Sequence, residues 1–163
     1  MARPGAGATA TAGRRRGASS TAASRLPWRA LRFRALQLPA SCGITLQDEY
    51  WCWANGAAPA RLDLGFTVAE QTQAALSSCA RGQDGVVRCW GDNANGQLGD
   101  GTTVSRSTLA PVPGVPLLVQ LTGNFMGTSC ALAADGQAWC WGYNGSGETG
   151  RIASIAYPPV AVP

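Results

Sequence analysis

Cysteine recurs in this 163-residue chain at one fixed interval. Its six cysteines form three pairs, Cys42 with Cys52, Cys79 with Cys89 and Cys130 with Cys140, and nine residues separate the members of each pair. The second and third pairs sit inside longer copies of one pattern. A constant offset of 51 carries Asp84 to Asp135, Gly85 to Gly136, Trp90 to Trp141, Gly91 to Gly142, Asn93 to Asn144, Gly96 to Gly147 and Gly99 to Gly150. The first copy precedes the second by 37 residues, so its back half is about fourteen residues shorter. It has Gln47-Asp48 where the others have Asp-Gly, and Ala54 where they have Gly. A chain built this way repeats one supersecondary unit.

Each unit reads as β structure. Gln83-Asp84-Gly85 and Ala134-Asp135-Gly136 have the form of three-residue hairpin loops, with glycine at the left-handed position that costs it nothing sterically. Hairpins centred on Gln47, Asp84 and Asp135 set Cys42 opposite Cys52, Cys79 opposite Cys89 and Cys130 opposite Cys140. The stretch 91–101 is dense in turn-forming residues. Pro111, Pro113 and Pro116 then lead into another expected strand, Leu117 to Leu121. A period of about 50 residues with several short strands per unit is the signature of a β-propeller blade. The expected fold is therefore all-β: about two and a half blades of an incomplete propeller. The units are a degraded repeat at 41–77, a full repeat at 78–128 and a C-terminally truncated repeat at 129–163.

Trp90-Gly91-Asp92-Asn93, followed by Gly96-Gln97-Leu98-Gly99 and preceded by the Asp84-Gly85 turn, resembles the repeat of the RCC1 (regulator of chromosome condensation) family. The third copy keeps Trp141-Gly142, Asn144 and Gly147 but has Glu148-Thr149-Gly150 where that family favours Gln-Leu-Gly. The resemblance covers roughly 41–163 and implies a propeller, in that family a ring of about seven blades. RCC1-like units often carry a His just before the second strand; Ala40, Ser77 and Thr128 stand there instead. The family's nucleotide exchange on a small GTPase depends on loops that cannot be identified in this chain.

Charge divides the molecule. All thirteen basic residues are Arg, and eight of them lie in 1–40, a segment without acidic residues. Residues 41–163 hold five Arg against nine acidic residues, a net of −4. The overall charge of +4 therefore gives no ground for a nucleic-acid partner, except through the N-terminal Arg residues. Residues 1–24 are small and low in complexity, and 1–40 as a whole reads as a disordered Arg- and Ala-rich tail. Arg29, Arg32 and Arg34 interrupt the apolar run that a secretory signal needs. The composition fits an organelle transit peptide better; a plain disordered tail or a misassigned start codon fits it equally, and Arg14-Arg15-Arg16 as a nucleic-acid or import patch fits it less well. No apolar run reaches the roughly 20 residues of a membrane-spanning helix.

The paired cysteines admit cross-strand disulfides, since directly opposite residues lie within bridging range. Six buried free thiols are the alternative, and zinc is disfavoured by the spacing and by the lack of His. Disulfides imply an oxidising compartment or organelle, although the tail does not look secretory. Asp92-Asn93-Ala94-Asn95-Gly96 fails the calcium-loop pattern at its third and fifth positions. Asn93 and Asn144 read as turn formers, and that tight turn disfavours glycosylation at Asn144-Gly145-Ser146. Trp53, Trp90 and Trp141 recur at one register, which points to packing between neighbouring blades before ligand stacking.

With no His and no Lys, Ser-His and Ser-Lys nucleophiles are impossible within the chain. No catalytic residue, metal or cofactor is expected. The expected function is a non-enzymatic protein-binding or scaffold module whose partner is unidentified. An RCC1-type regulator of a small GTPase or of chromatin is the alternative, and a gene fragment without independent function the third. Unpaired blade faces further predict a marginal monomer, or a homo-oligomer that completes a ring.

Overall fold

The computed structural model describes residues 31–37, 41–53, 57–74, 76–151 and 158–162. Among these residues, twelve strands build three four-stranded sheets in chain order, each an antiparallel meander. The first contains β1 (Phe33–Gln37), β2 (Cys42–Thr45), β3 (Tyr50–Cys52) and β4 (Ala60–Arg61). The second contains β5 (Val68–Ala74), β6 (Ser77–Gly82), β7 (Val87–Gly91) and β8 (Arg106–Pro111). The third contains β9 (Leu118–Gly123), β10 (Thr128–Ala133), β11 (Ala138–Gly142) and β12 (Val160–Ala161). These are three propeller blades that do not close into a ring.

The cysteine hairpins have the expected register: Cys42 faces Cys52, Cys79 faces Cys89 and Cys130 faces Cys140. In each pair the sulfurs lie at disulfide distance, with Cα atoms 4.0–4.2 Å apart.

Two expectations change. Each sheet begins one strand before its cysteine repeat, so sequence units starting at 41, 78 and 129 are out of phase with the blades. For the first sheet that strand is β1, which lies within the segment read as tail. The Arg residues that break an apolar run alternate with Leu31, Phe33 and Ala35, and Arg32 and Arg34 are exposed while those three are partly buried. That period-2 alternation is the pattern of a strand with one face packed. The rest of the segment, 1–30 and 38–40, with the transit-peptide and Arg14–Arg16 readings, lies outside the described residues. The first sheet also keeps all four strands. Its shortening falls mainly between the third and fourth strands, where 53–59 stands in place of 92–105, so a loop was lost and the sheet survived.

The core lies between sheets. Cys42, Ile44, Tyr50 and Cys52 of the first sheet meet Val68, Ala80 and Trp90 of the second. Cys79, Val87, Cys89, Leu98 and Val112 of the second meet Leu118, Ala131, Ala133, Trp139 and Trp141 of the third. The sheets are also tied by polar bonds to the start of the next sheet's first strand. Arg34 Nη2 donates to the Val68 carbonyl at 3.2 Å, and Arg81 Nη1 to the Leu118 carbonyl at 3.4 Å.

Candidate functional site

The turn chemistry repeats bond for bond. In the second hairpin the Asp84 carboxylate accepts the Val86 N–H at 3.1 Å, and in the third Asp135 accepts the Gln137 N–H at 2.9 Å. Arg88 also pairs with Asp84 at 2.8 Å, and its hydrogen bond holds that carboxyl below its ordinary value. The first hairpin reaches the same end differently. Asp48 takes the left-handed position of Gly85 and Gly136, at φ 60°, and the Thr45 hydroxyl accepts the equivalent N–H, that of Glu49, at 3.1 Å.

The Gly-Asn loop after the third strand is the densest polar feature. Asn93 is fully buried; its Oδ1 accepts the Leu98 N–H at 2.9 Å, and its Nδ2 donates among Asp100 Oδ1, Thr102 O and Val104 O at 3.1–3.2 Å. In the third sheet Asn144 Oδ1 accepts the Thr149 N–H at 2.9 Å, so this side chain is committed to its turn. Gln97 Oε1 accepts the Asn95 N–H at 2.8 Å while its Nε2 donates to Asp92 at 2.9 Å. Glu148, the departure from the Gln-Leu-Gly run, accepts the equivalent Ser146 N–H at 2.8 Å. Only the acceptor half of Gln97 is thus kept in the third copy. Gly91, Gly96 and Gly99 all have positive φ, as do Gly142, Gly147 and Gly150. Gly96 and Gly99 each donate three residues back, a pattern that Gly147 and Gly150 repeat.

Asp100 anchors the outside of this loop. Burial works to raise its pKa, but hydrogen bonds from the Thr102 hydroxyl and N–H and from Asn93, with the Arg106 charge at 2.6 Å, bring it below the ordinary carboxylate value. The missing His positions have also been refilled: Ser77 Oγ donates to the Ala74 carbonyl and Thr128 Oγ1 to the Tyr143 carbonyl, both at 2.7 Å. The tryptophans are packing elements in the geometry observed. Trp141 is fully buried between the second and third sheets and Trp90 is half-buried between the first and second. Trp53 stands edge-on to Phe33, 5.7 Å between ring centroids.

These residues therefore build loops, and large apolar side chains are exposed on the turns beside them. The β5–β6 turn exposes Leu76 (81%), and the β9–β10 turn exposes Phe125 (74%) and Met126 (58%). Both turns lie at the same end of their sheets, beside the Gly-Asn loops: the Asp92 N–H donates to the Leu76 carbonyl and the Tyr143 N–H to the Gly127 carbonyl. Asn124 fixes the second turn by accepting the Met126 and Thr128 N–H groups at 3.0 and 3.1 Å. The signal for these residues in the sequence was their place, large apolar side chains between strands one and two of a unit.

A family model described as Regulator of chromosome condensation (RCC1) repeat matches residues 84–131, and a second of the same description matches 127–148. Among solved structures, human WBSCR16 is similar over 75% of this chain and 37% of its own, at 18% identity and a TM-score of 0.62. Prp20p of Saccharomyces cerevisiae matches over 75% of this chain and 36% of its own, at 16% identity and a TM-score of 0.61. Yeast RCC1 (Prp20) bound to Kap60 matches at 15% identity over 33% of its own chain, with a TM-score of 0.61. The chain thus spans about a third of the length of these structures. The repeated Asp-Gly turns and Gly-Asn loops, together with both family matches, show RCC1-like repeats over residues 84–148 of this chain.

Proposed function

We propose that the chain is a non-enzymatic protein-binding module that presents apolar turns on a rigid stack of RCC1-type blades. The observation that carries this reading is the exposure of Leu76, Phe125 and Met126 on turns whose backbone is already fixed by internal bonds. Loops held on a stable sheet scaffold are where recognition usually resides, and pre-ordered apolar side chains lose little entropy on contact. The repeat-fixed polar groups are spent on the fold, and the chain has neither His nor Lys for nucleophile activation. Three cysteine pairs at disulfide distance support residence in an oxidising compartment.

The second reading, a regulator of a small GTPase or of chromatin, draws on likeness to Prp20p, a protein with binding properties toward Gsp1p and histones. One set of measurements separates the two. Tagged wild-type chain and a Phe125→Asp/Met126→Asp double variant are expressed in parallel, and co-purifying proteins are compared by mass spectrometry. The module reading expects a defined partner to be lost with the double variant while the three bridges and the β-sheet spectrum persist. An unchanged partner set overturns it. Accelerated nucleotide release from a small GTPase, or salt-sensitive DNA retention lost on removing 1–30, would establish the second reading in its place.

A further inference from the structure

Every sheet carries two different faces. The face toward the preceding sheet has one small residue between two bulky ones: Val68, Ala80 and Trp90 in the second sheet, Leu118, Ala131 and Trp141 in the third. The first strand's register makes Phe33 the counterpart of Val68, because Phe33 pairs with Thr45 as Val68 pairs with Gly82. The first sheet's leading face is therefore Phe33, Gly43 and Trp53. Phe33 lies over Gly43, where an added β-carbon would meet its ring.

The opposite face carries the cysteine bridge. Cys42 and Cys52, with Ile44 and Tyr50, pack against the second sheet, and Cys79 and Cys89, with Val87, pack against the third. In the third sheet the same positions are Cys130, Cys140, Leu132 and Ala138. Cys130, Leu132 and Ala138 line a shallow, largely apolar hollow with Gln120, Thr122 and Ala131, and no described residue covers it. The difference is visible at one position: Cys79 is 1% exposed, whereas its counterpart Cys130 is partly exposed.

We propose that these two faces bind each other between copies of this chain, head to tail, with Phe33 and Trp53 of one molecule seated on Cys130, Leu132 and Ala138 of the next. The contact would repeat a third time the interface that the molecule already forms twice internally, and each chain carries one face of each kind. Such a contact is heterologous, so it gives a ring if the rotation closes and an open chain if it does not. A surface of this apolar character is also the kind that association removes from water. The proposal is independent of the apolar turns invoked for partner binding, which lie at the ends of the sheets.

Sedimentation velocity of the full chain with its bridges intact, across the micromolar range, tests it. Concentration-dependent association is expected. Leu132→Glu blocks one face and Trp53→Glu the other, and each should weaken self-association about tenfold or more. A mixture of the two variants should form a one-to-one pair through the remaining intact faces, which two-fold association would not produce. Leu117→Glu, outside both faces, should associate like the wild type. If Leu132→Glu does not fold, Ala138→Arg reads the same face. A wild-type chain that stays monomeric, whether its open faces bind nothing or are covered by its own residues 1–30, overturns the proposal. So does association that survives both face variants, or mixed variants that fail to pair.

Discussion

Trp141 closes directly over Gly99: a β-carbon added to Gly99 would stand 2.8 Å from the Trp141 Cδ1, with the Val112 side chain at 3.0 Å. The glycine of one blade's loop is thus the floor on which the next blade's tryptophan rests. Gly99→Ala should destabilise by about 2–4 kcal/mol, from the left-handed backbone (φ 65°) and the forced overpacking together. Gly136 has φ 89° and open space around it, so Gly136→Ala should cost only about 1 kcal/mol. Urea denaturation of both variants measures the gap; equal losses would mean that the Trp141 contact contributes nothing.

Asn93 serves as acceptor and donor at once, which separates two substitutions. Asn93→Ala leaves the buried Leu98 N–H without its acceptor and should cost about 2 kcal/mol or more. Asn93→Asp keeps the acceptor but puts a carboxylate where Nδ2 stands 3.2 Å from Asp100 and near two carbonyls. Like charge raises the new carboxyl's pKa. The Asp variant should therefore regain stability relative to wild type as pH falls from about 7 to about 4. The Ala variant should show no such recovery in thermal melts over the same range.

Tyr50 is buried in the core between the first and second sheets, and burial pushes its phenol up to about 12 from an ordinary 10.0. A raised phenol pKa means that the fold favours the neutral form. That preference is fully present below pH 10 and is lost as pH climbs through 10 toward 12, on the order of 2 kcal/mol in all. Tyr50→Phe should have a flatter alkaline stability profile in that window, read by denaturation at stepped pH. Parallel profiles would show that Tyr50 ionises as freely when folded as when unfolded.

The bridges should differ in their resistance to reductant. Each closes a loop with a sequence separation of 10, worth about 3 kcal/mol on chain-entropy grounds. Cys79 and Cys89 are 1% and 0% exposed, whereas Cys52 of the first bridge and Cys130 of the third are each partly exposed. Graded reductant on dilute protein, followed by alkylation and peptide mass spectrometry, should label Cys79 and Cys89 last, after the cysteines of both other bridges. Labelling in the reverse order would place the accessible face elsewhere.

The features legible in the sequence are those enforced by local geometry. A turn centred midway between two cysteines fixes which residues face each other, so the three hairpins and their register followed from spacing alone. The Asp84 and Asp135 turns and the Asn93 and Asn144 loops were likewise visible, because their bonds close within a few residues. What stayed hidden depends on distant partners. β1 was obscured because its Arg residues look like a charged tail until the other face is known to pack. Thr45 gave no sign that it replaces a turn carboxylate, since its hydroxyl acts only once the hairpin exists. Which face each bridge occupies, and hence which two faces remain open, requires knowing how one sheet stacks on the next. Leu76 and Phe125 likewise acquire meaning only when their turns are placed at a common end.

Glu70 joins two blades by a single oxygen. Its Oε2 accepts Arg81 Nε at 3.1 Å within the second sheet and the Leu121 N–H of β9 at 2.6 Å in the third. Arg81 meanwhile reaches the Leu118 carbonyl of the same strand. Coulomb attraction in a partly exposed pair is worth little alone, but the bond to Leu121 serves a backbone group at an inter-sheet seam. Glu70→Gln keeps a neutral acceptor there and should cost about 1 kcal/mol, whereas Glu70→Ala removes it and should cost about 2–3 kcal/mol. Hydrogen exchange distinguishes a seam from a surface pair. Glu70→Ala should speed exchange at the Leu121 amide and along β9, while amides of the first sheet, at β2 and β3, stay as protected as in the wild type. Faster exchange spread evenly over all three sheets would instead mean that the blades open as one unit and that Glu70 holds no particular joint.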